Sequence, residues 1–153
     1  MKAIRIHEHG GPEVLRYEDA PVPKPTSEEA VLKIEASGVN FIDIYFRAGL
    51  YKTELPFING QEAAGVITEV GSRVRDLKIG DRVVYTGPLG AYAEYASAPA
   101  TRFVKIPDNL NSHTAAAAIL QGMTVHYLTH STFPLQAGQT ALIHAAAGGV
   151  GLL

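Results

Sequence analysis

The sequence predicts a mainly β domain with some helix, its strands curled into a partly open barrel, then linking helices and the first strand of a second unit. Three observations predict it. Six short β-branched or alternating segments are cut apart by Gly and Pro, the character turns alanine-rich and helical after Asn111, and a small-residue glycine turn follows a last apolar run.

The strands are expected at Lys2 to Ile6, Ala30 to Ala36, Gly65 to Val70, Arg82 to Tyr85, Tyr92 to Ala96 and Phe103 to Ile106. Pro21 to Pro25 cannot sustain a ladder and reads as an extended connection between two strands. Phe41, Ile44, Tyr45 and Ala48 fall at helical spacing and Gly49 closes the segment, so one short helix interrupts the sheet. Asn111 or Ser112 can cap a second helix through Ala115 to Ala118, with apolar spacing continued at Met123, Val125 and Leu128 and an end at Pro134 and Gly138. Thr140 to His144 reads as a buried strand, and Ala145 to Gly151 as the turn after it.

Composition narrows the function classes. The 153 residues are 46% hydrophobic with a formal net charge of −2, and no basic run marks a nucleic-acid or anionic-membrane partner. The longest small-apolar stretches fall well short of the roughly 20 residues a bilayer requires. Arg5, His7, Glu8 and His9 stand where a signal peptide would be apolar, so a cytoplasmic location is expected. With no cysteine, disulfides, thiolate nucleophiles and cysteine-ligated metals drop out together.

In Ala145-Ala146-Ala147-Gly148-Gly149-Val150-Gly151, Gly148 and Gly151 occupy the second and third glycine positions of a dinucleotide fingerprint, and Ala146 the first. A side chain at Gly148 would block a pyrophosphate, and one at Gly151 would part helix from strand. A glycine-rich helix entry with no ligand is the plain alternative. Gly60 to Gly65 and Gly80 to Val83 are, on physics alone, two turns leading into strands.

Taken in order, Gly38-Val39-Asn40-Phe41-Ile42-Asp43, Gly49-Leu50-Tyr51, Gly80-Asp81-Arg82-Val83, Gln121-Gly122-Met123-Thr124 and Ala145 to Gly151 resemble the medium-chain dehydrogenase/reductase superfamily, in its zinc-free, zeta-crystallin-like quinone oxidoreductase branch. The resemblance covers essentially the whole chain and implies its N-terminal half. It implies a GroES-like catalytic domain over residues 1–125, lacking its C-terminal return. Residues 126–153 would be a linking helix and the start of a truncated Rossmann NADP-binding domain, with the active site in the cleft between the two. The 153 residues alone are expected to show no turnover.

Where zinc-dependent alcohol dehydrogenases carry a cysteine and a histidine ligand, this chain has Asn40 and Gln61. Neither amide is a credible zinc ligand, and Glu62 alone cannot supply the roughly three ligands a catalytic zinc wants. No metal is therefore expected. His126 and His130, four apart on the second helix, lack a visible third ligand, and an exposed helix face is the plain reading. No Gly-x-Ser-x-Gly elbow suggests a hydrolase.

The resemblance implies hydride transfer from NADPH to a quinone, with an alkenal or enone reductase of the same branch, or a non-catalytic GroES-like binding module, as alternatives. It implies that Asn40, Asp43, Tyr45 and Tyr51 line the catalytic cleft, that Asn40, Tyr45 and Thr124 also meet the cofactor, and that Gly148, Gly149, Val150 and Gly151 hold its phosphates. Core packing of Tyr45 with Phe41 and Ala48, and a helix-turn acceptor role for Asp43, remain open beside those roles. A homodimer is implied for the full-length protein.

Overall fold

A computed structural model describes residues 1–153. Strand β1 (Lys2–Ile6) pairs antiparallel with β2 (Arg16–Asp19) and with the two-residue β4 (Phe57–Ile58), forming a three-stranded sheet in the order β2-β1-β4. The larger sheet runs β7-β3-β5-β6-β8, from β3 (Glu29–Ser37), β5 (Glu62–Val70), β6 (Arg82–Thr86), β7 (Tyr95–Pro99) and β8 (Phe103–Lys105), with every pair antiparallel. The segment before β7 fastens the sheets together. Ile4 N–H donates to Tyr92 O at 2.8 Å, Glu94 N–H to Lys2 O at 3.1 Å, and Ile34 N–H to Glu94 O at 2.9 Å. The sheets thus curl toward one another as the open barrel the sequence predicts.

Curling needs bends, and β3 supplies them: its register with β5 shifts between Val31 and Leu32 and again between Ile34 and Ala36. Gly65 faces the second irregularity, where a Cβ would strike the carbonyl oxygen of Lys33. The pleat then sorts side chains onto two faces. Ala63, Ile67, Val83 and Tyr85 join Leu32, Ala96 and Phe103 in the barrel core, whereas Ala64 and Val84 turn the other way. Ala115 and Ala116 of helix α2 (Ser112–His126) lie over that second face with Ile106, and small side chains on both sides let the helix sit close. Asn111 caps α2, its Oδ1 accepting from Thr114 N–H at 2.8 Å, while Ser112 Oγ donates to Glu35 Oε2 of β3 at 2.5 Å. Sheet and helix are therefore joined at the helix start as well as along its length.

Helix α1 (Phe41–Arg47) falls where the spacing predicts. The strand predicted at Tyr92 to Ala96 starts later and runs to Pro99, because residues 92–94 serve the inter-sheet connection instead. Past α2 the chain makes a π-helical turn, Tyr127–Thr132. The buried strand expected at Thr140 to His144 does not form. Leu142 and Ile143 are exposed and no neighbour pairs with them, and without a partner ladder an apolar run has nothing to hold it extended. No helix is long and apolar enough to cross a membrane.

Candidate active site

The start of α1 lies against β5 and the middle of α2, and a polar network joins the three. Asp43 sits one turn inside α1 and is 4% exposed. Its Oδ2 accepts from Asn40 N–H at 2.9 Å and from the Tyr92 hydroxyl at 2.5 Å, satisfying a helix-start donor. Asn59 Nδ2 donates to the Asp43 carbonyl at 3.0 Å, which pins the helix to the strand region before β5. Burial, and after it the hydrogen bond to Asp43, pushes the Tyr92 phenol well above its ordinary value. Asp43 Oδ1 and Asn59 Oδ1 are buried without a partner.

Asn40 occupies the N-cap position, but its side chain turns away from α1 toward the sheet. Its Nδ2 donates to Glu62 Oε2 at 2.8 Å, and its Oδ1 accepts from Gln121 Nε2 at 3.1 Å. Glu62 is completely buried at the start of β5, on the face that carries Ala64. Its second oxygen, Oε1, accepts from the mid-helix Leu120 N–H of α2 at 2.8 Å. Gly38 makes room, since a Cβ there would collide with the Glu62 carboxylate. A carboxylate withdrawn from water needs donors at both oxygens, and Asn40 and Leu120 supply them.

Tyr45 and Tyr51 lie in an aromatic group. Ring centroids are 5.4 Å apart for Phe41 and Tyr45, 5.5 Å for Tyr45 and Tyr51, and 5.5 Å for Phe46 and Tyr51, all edge-to-face. Tyr45 is half-buried and Tyr51 is 44% exposed. Beside Asn40 and Asp43 opens a cavity of about 350 Å³, lined also by Leu15, Val39, Phe41 and Ile44. Thr124 stands one turn after Leu120 and donates its hydroxyl to the Leu120 carbonyl at 2.8 Å.

The glycine turn approaches the same network from the other side. Ala145 takes a positive φ of 51°, Gly148 N–H donates to Ala145 O at 2.8 Å, and Leu152 N–H donates to Gly148 O at 3.0 Å, a bond of α-helical span. A Cβ at Gly149 would lie 3.0 Å from Gln121 Cγ. Asn40 thus meets Glu62 and Gln121, the turn meets Gln121, and Asp43 joins them through the Asn40 N–H, whereas Tyr45 and Tyr51 sit in the aromatic group and Thr124 bonds back to its own helix.

Sequence reasoning does not assign roles to Glu62, Gln121, Tyr92 and Asn59. One signal was available for Glu62: a lone carboxylate opening an alanine and glycine strand is a buried charge in want of donors. His126 and His130 stack face to face with centroids 4.3 Å apart on an exposed surface, and no three His, Cys, Asp or Glu side chains converge as metal ligands.

Residues 26–108, which hold β3 to β8 and α1, match the model of the alcohol dehydrogenase GroES-like domain. The chain belongs to that family. Among relatives of this family member, the quinone oxidoreductase of Pseudomonas aeruginosa is 47% identical over 153 residues, covering 99% of the chain and 47% of the relative. A 2-haloacrylate reductase from Burkholderia is 42% identical over 158 residues, covering 99% of the chain and 47% of that protein. The solved structure of Escherichia coli quinone oxidoreductase complexed with NADPH superposes with a TM-score of 0.96 at 43% identity, covering 99% of this chain and 47% of that one. The chain spans about half the length of the curated relatives it matches.

Proposed function

We propose that this chain forms part of an NADPH-dependent quinone oxidoreductase that works without a metal. In that reading, residues 1–125 are the catalytic unit, and residues 126–153 are the linking helix and the beginning of the NADP-binding unit. The observation that carries the reading is Asn40. At a position where zinc-dependent relatives place a ligand, this chain has an amide whose oxygen and one N–H are consumed by Gln121 and Glu62. An amide so engaged can position or donate, and it cannot serve as a Lewis-acid ligand set.

The residues present fit a dinucleotide. Gly148, Gly149, Val150 and Gly151 would hold the phosphates, because the turn ends in a bond of helical span, and helix N-termini present N–H groups and a favourable dipole to anions. NADPH, when bound, supplies the hydride. The protein's own residues do the rest. Asn40 keeps one N–H free to donate toward an acceptor oxygen where negative charge develops, and Tyr45 offers a hydroxyl for the same purpose. Asp43, locked by Asn40, Tyr92 and Asn59, holds the start of α1, so that Asn40 and Tyr45 keep a fixed separation. Thr124 would stand by the nicotinamide, and Tyr51 would complete the catalytic lining of the cleft. Such a constellation suits an electron-poor acceptor that needs no metal to polarise it, such as a quinone.

A second reading, reduction of an activated alkene, is favoured by the similarity to the 2-haloacrylate reductase. A non-catalytic binding module is the remaining alternative. We place the protein in the cytoplasm, as a homodimer in its complete form. The test is NADPH oxidation by the protein expressed from its full reading frame, over a panel of quinones and activated alkenes. Faster turnover on quinones is the expected result. Faster turnover on alkenes would move the assignment to the second reading, and none on either, with no NADPH binding by calorimetry, would leave the binding module.

A further inference from the structure

The geometry points to Gln121 as a positioning residue that, with Glu62, sets the direction in which the Asn40 amide faces and ties that direction to the glycine turn. This rests on the proposed hydride-transfer site and assigns two residues to it.

The direction follows from donor and acceptor types. Both Glu62 oxygens accept, Oε1 from Leu120 N–H and Oε2 from Asn40 Nδ2, each at 2.8 Å. A carboxylate only accepts, so the nitrogen end of the Asn40 amide must face it. The oxygen end then faces Gln121, which meets it with Nε2 at 3.1 Å. Turning the Asn40 amide over would set oxygen against carboxylate oxygen and nitrogen against nitrogen. The order Gln121, Asn40, Glu62 is therefore polar, and each link depends on the next.

Gln121 also carries the link to the turn. A Cβ at Gly149 would stand 3.0 Å from its Cγ, 3.5 Å from its Nε2 and 3.6 Å from its Cδ, so the turn packs along the whole head of the side chain. Gln121 Oε1 is buried and lacks a donor. The donor committed to Asn40 is thus the polar atom of Gln121 that stands nearest the turn, and the oxygen of the same amide is a buried acceptor without a donor. Movement of the turn on binding a dinucleotide bears on Gln121 first and reaches Asn40 through one hydrogen bond.

The experiment reverses the polarity of the network in the protein expressed from its full reading frame, with Gln121→Glu, Glu62→Gln and the double variant. Alone, Gln121→Glu opposes two acceptors. We expect kcat for NADPH-dependent quinone reduction to fall about tenfold or more, with KM for NADPH changing less than about threefold. In the double variant the amide can turn over, donating to Glu at 121 and accepting from Gln at 62, while Leu120 N–H keeps its acceptor. The melting temperature should then recover most of the loss seen in the single variants, and kcat should not, because the free N–H of Asn40 has changed sides. Full recovery of kcat in the double variant, or wild-type kcat in Gln121→Glu, would overturn the assignment. Should Gln121→Glu not fold, Gln121→Met keeps the length, removes the donor and is held to the same kcat and KM criteria. A wild-type protein inactive on quinones and alkenes would refute the proposed function, and the melting cycle would still decide the network: recovery in the double variant upholds the polar order, additive losses overturn it.

Discussion

Replacing Gly38 by Ala should destabilise the chain out of proportion to the single methyl group added. Gly38 has no positive φ, so an alanine backbone fits and by itself would stabilise by about 0.4–1 kcal/mol through the unfolded chain. The added Cβ, however, would lie 2.6 Å from Glu62 Cδ and 2.9 Å from Glu62 Cγ, with Oε2 nearer still. Real Cβ atoms do not approach so closely, so the carboxylate has to move. Glu62 is fully buried and held at both oxygens, by Asn40 Nδ2 and Leu120 N–H, so movement breaks one bond or both. Hydrogen bonds to charged groups are worth about 1.5–3 kcal/mol each, which sets the loss at about 2 kcal/mol for one bond and about 4 for two. After the backbone gain, a net destabilisation of about 1–3 kcal/mol is expected.

The assay is urea denaturation of a double-mutant cycle, with Gly38→Ala and Glu62→Ala made singly and together. Glu62→Ala removes the atoms the new Cβ would strike. In that background Gly38→Ala should therefore be neutral or slightly stabilising, giving a coupling energy of about 2–4 kcal/mol. Gly122→Ala is the control: it lies inside α2 with nothing within 4 Å of the added Cβ, and should stabilise by about 1 kcal/mol. Additive costs in the cycle, or a neutral Gly38→Ala in the wild-type background, would refute the claim that Glu62 is held where the geometry puts it.

Two further predictions concern ionisable groups. Tyr85 is 1% exposed in the barrel core and its hydroxyl has no partner, so Tyr85→Phe should raise the urea midpoint, by up to about 1 kcal/mol in stability. Burial raises the Tyr85 phenol above its ordinary 10.0, so the folded state holds that proton more tightly than the unfolded one. Its contribution is complete below pH 10 and is lost as pH climbs above that, and urea midpoints measured up to about pH 11 should fall more steeply for wild type than for Tyr85→Phe. Asp81 behaves in the opposite sense. Its bond to Lys105 Nζ at 3.0 Å, followed by that from Lys78 N–H, holds its carboxyl below the ordinary 3.8. Stability from Asp81 is present above that value and fades as pH falls through the lowered one, so between about pH 4 and 2 Asp81→Asn should lose less of its midpoint than wild type. Parallel acid profiles would refute the pairing.

How much of this was legible in the sequence depended on whether the signal was local. Strands β1, β3, β5 and β6 announce themselves because β-branched residues recur along each. Strand β2 does not: Arg16-Tyr17-Glu18-Asp19 has no buried face and is held by its ladder to β1 and by Glu18 pairing with Arg5 at 3.0 Å and His7 at 2.8 Å. Strand β4 has two residues, too few for any period. The opposite error arose at Thr140 to His144, where strand-forming composition is present and the partner strand is not. The cap at Asn111 and the turn at Ala145 to Gly151 were readable, since each depends on residues a few positions apart.

The site was legible only in part, for a related reason. Asn40 and Asp43 are singled out by the resemblance, which rests there on the contiguous run Gly38-Val39-Asn40-Phe41-Ile42-Asp43. The residues that hold them are not, because their hydrogen bonds span 22 positions from Asn40 to Glu62, 81 from Asn40 to Gln121, and 49 from Asp43 to Tyr92. What brings them together is the pleat of β5, which sends Ala63 into the barrel and Glu62 toward α2, and the alanine face of α2, which lets Leu120 and Gln121 come within reach. A one-residue slip of β5 would point Glu62 into the apolar core and strand its charge there. The register of the larger sheet is thus also the register of the candidate site, so a change that loosens β5 against β6 should disturb Asn40 even though it touches neither Asn40 nor its hydrogen-bond partners.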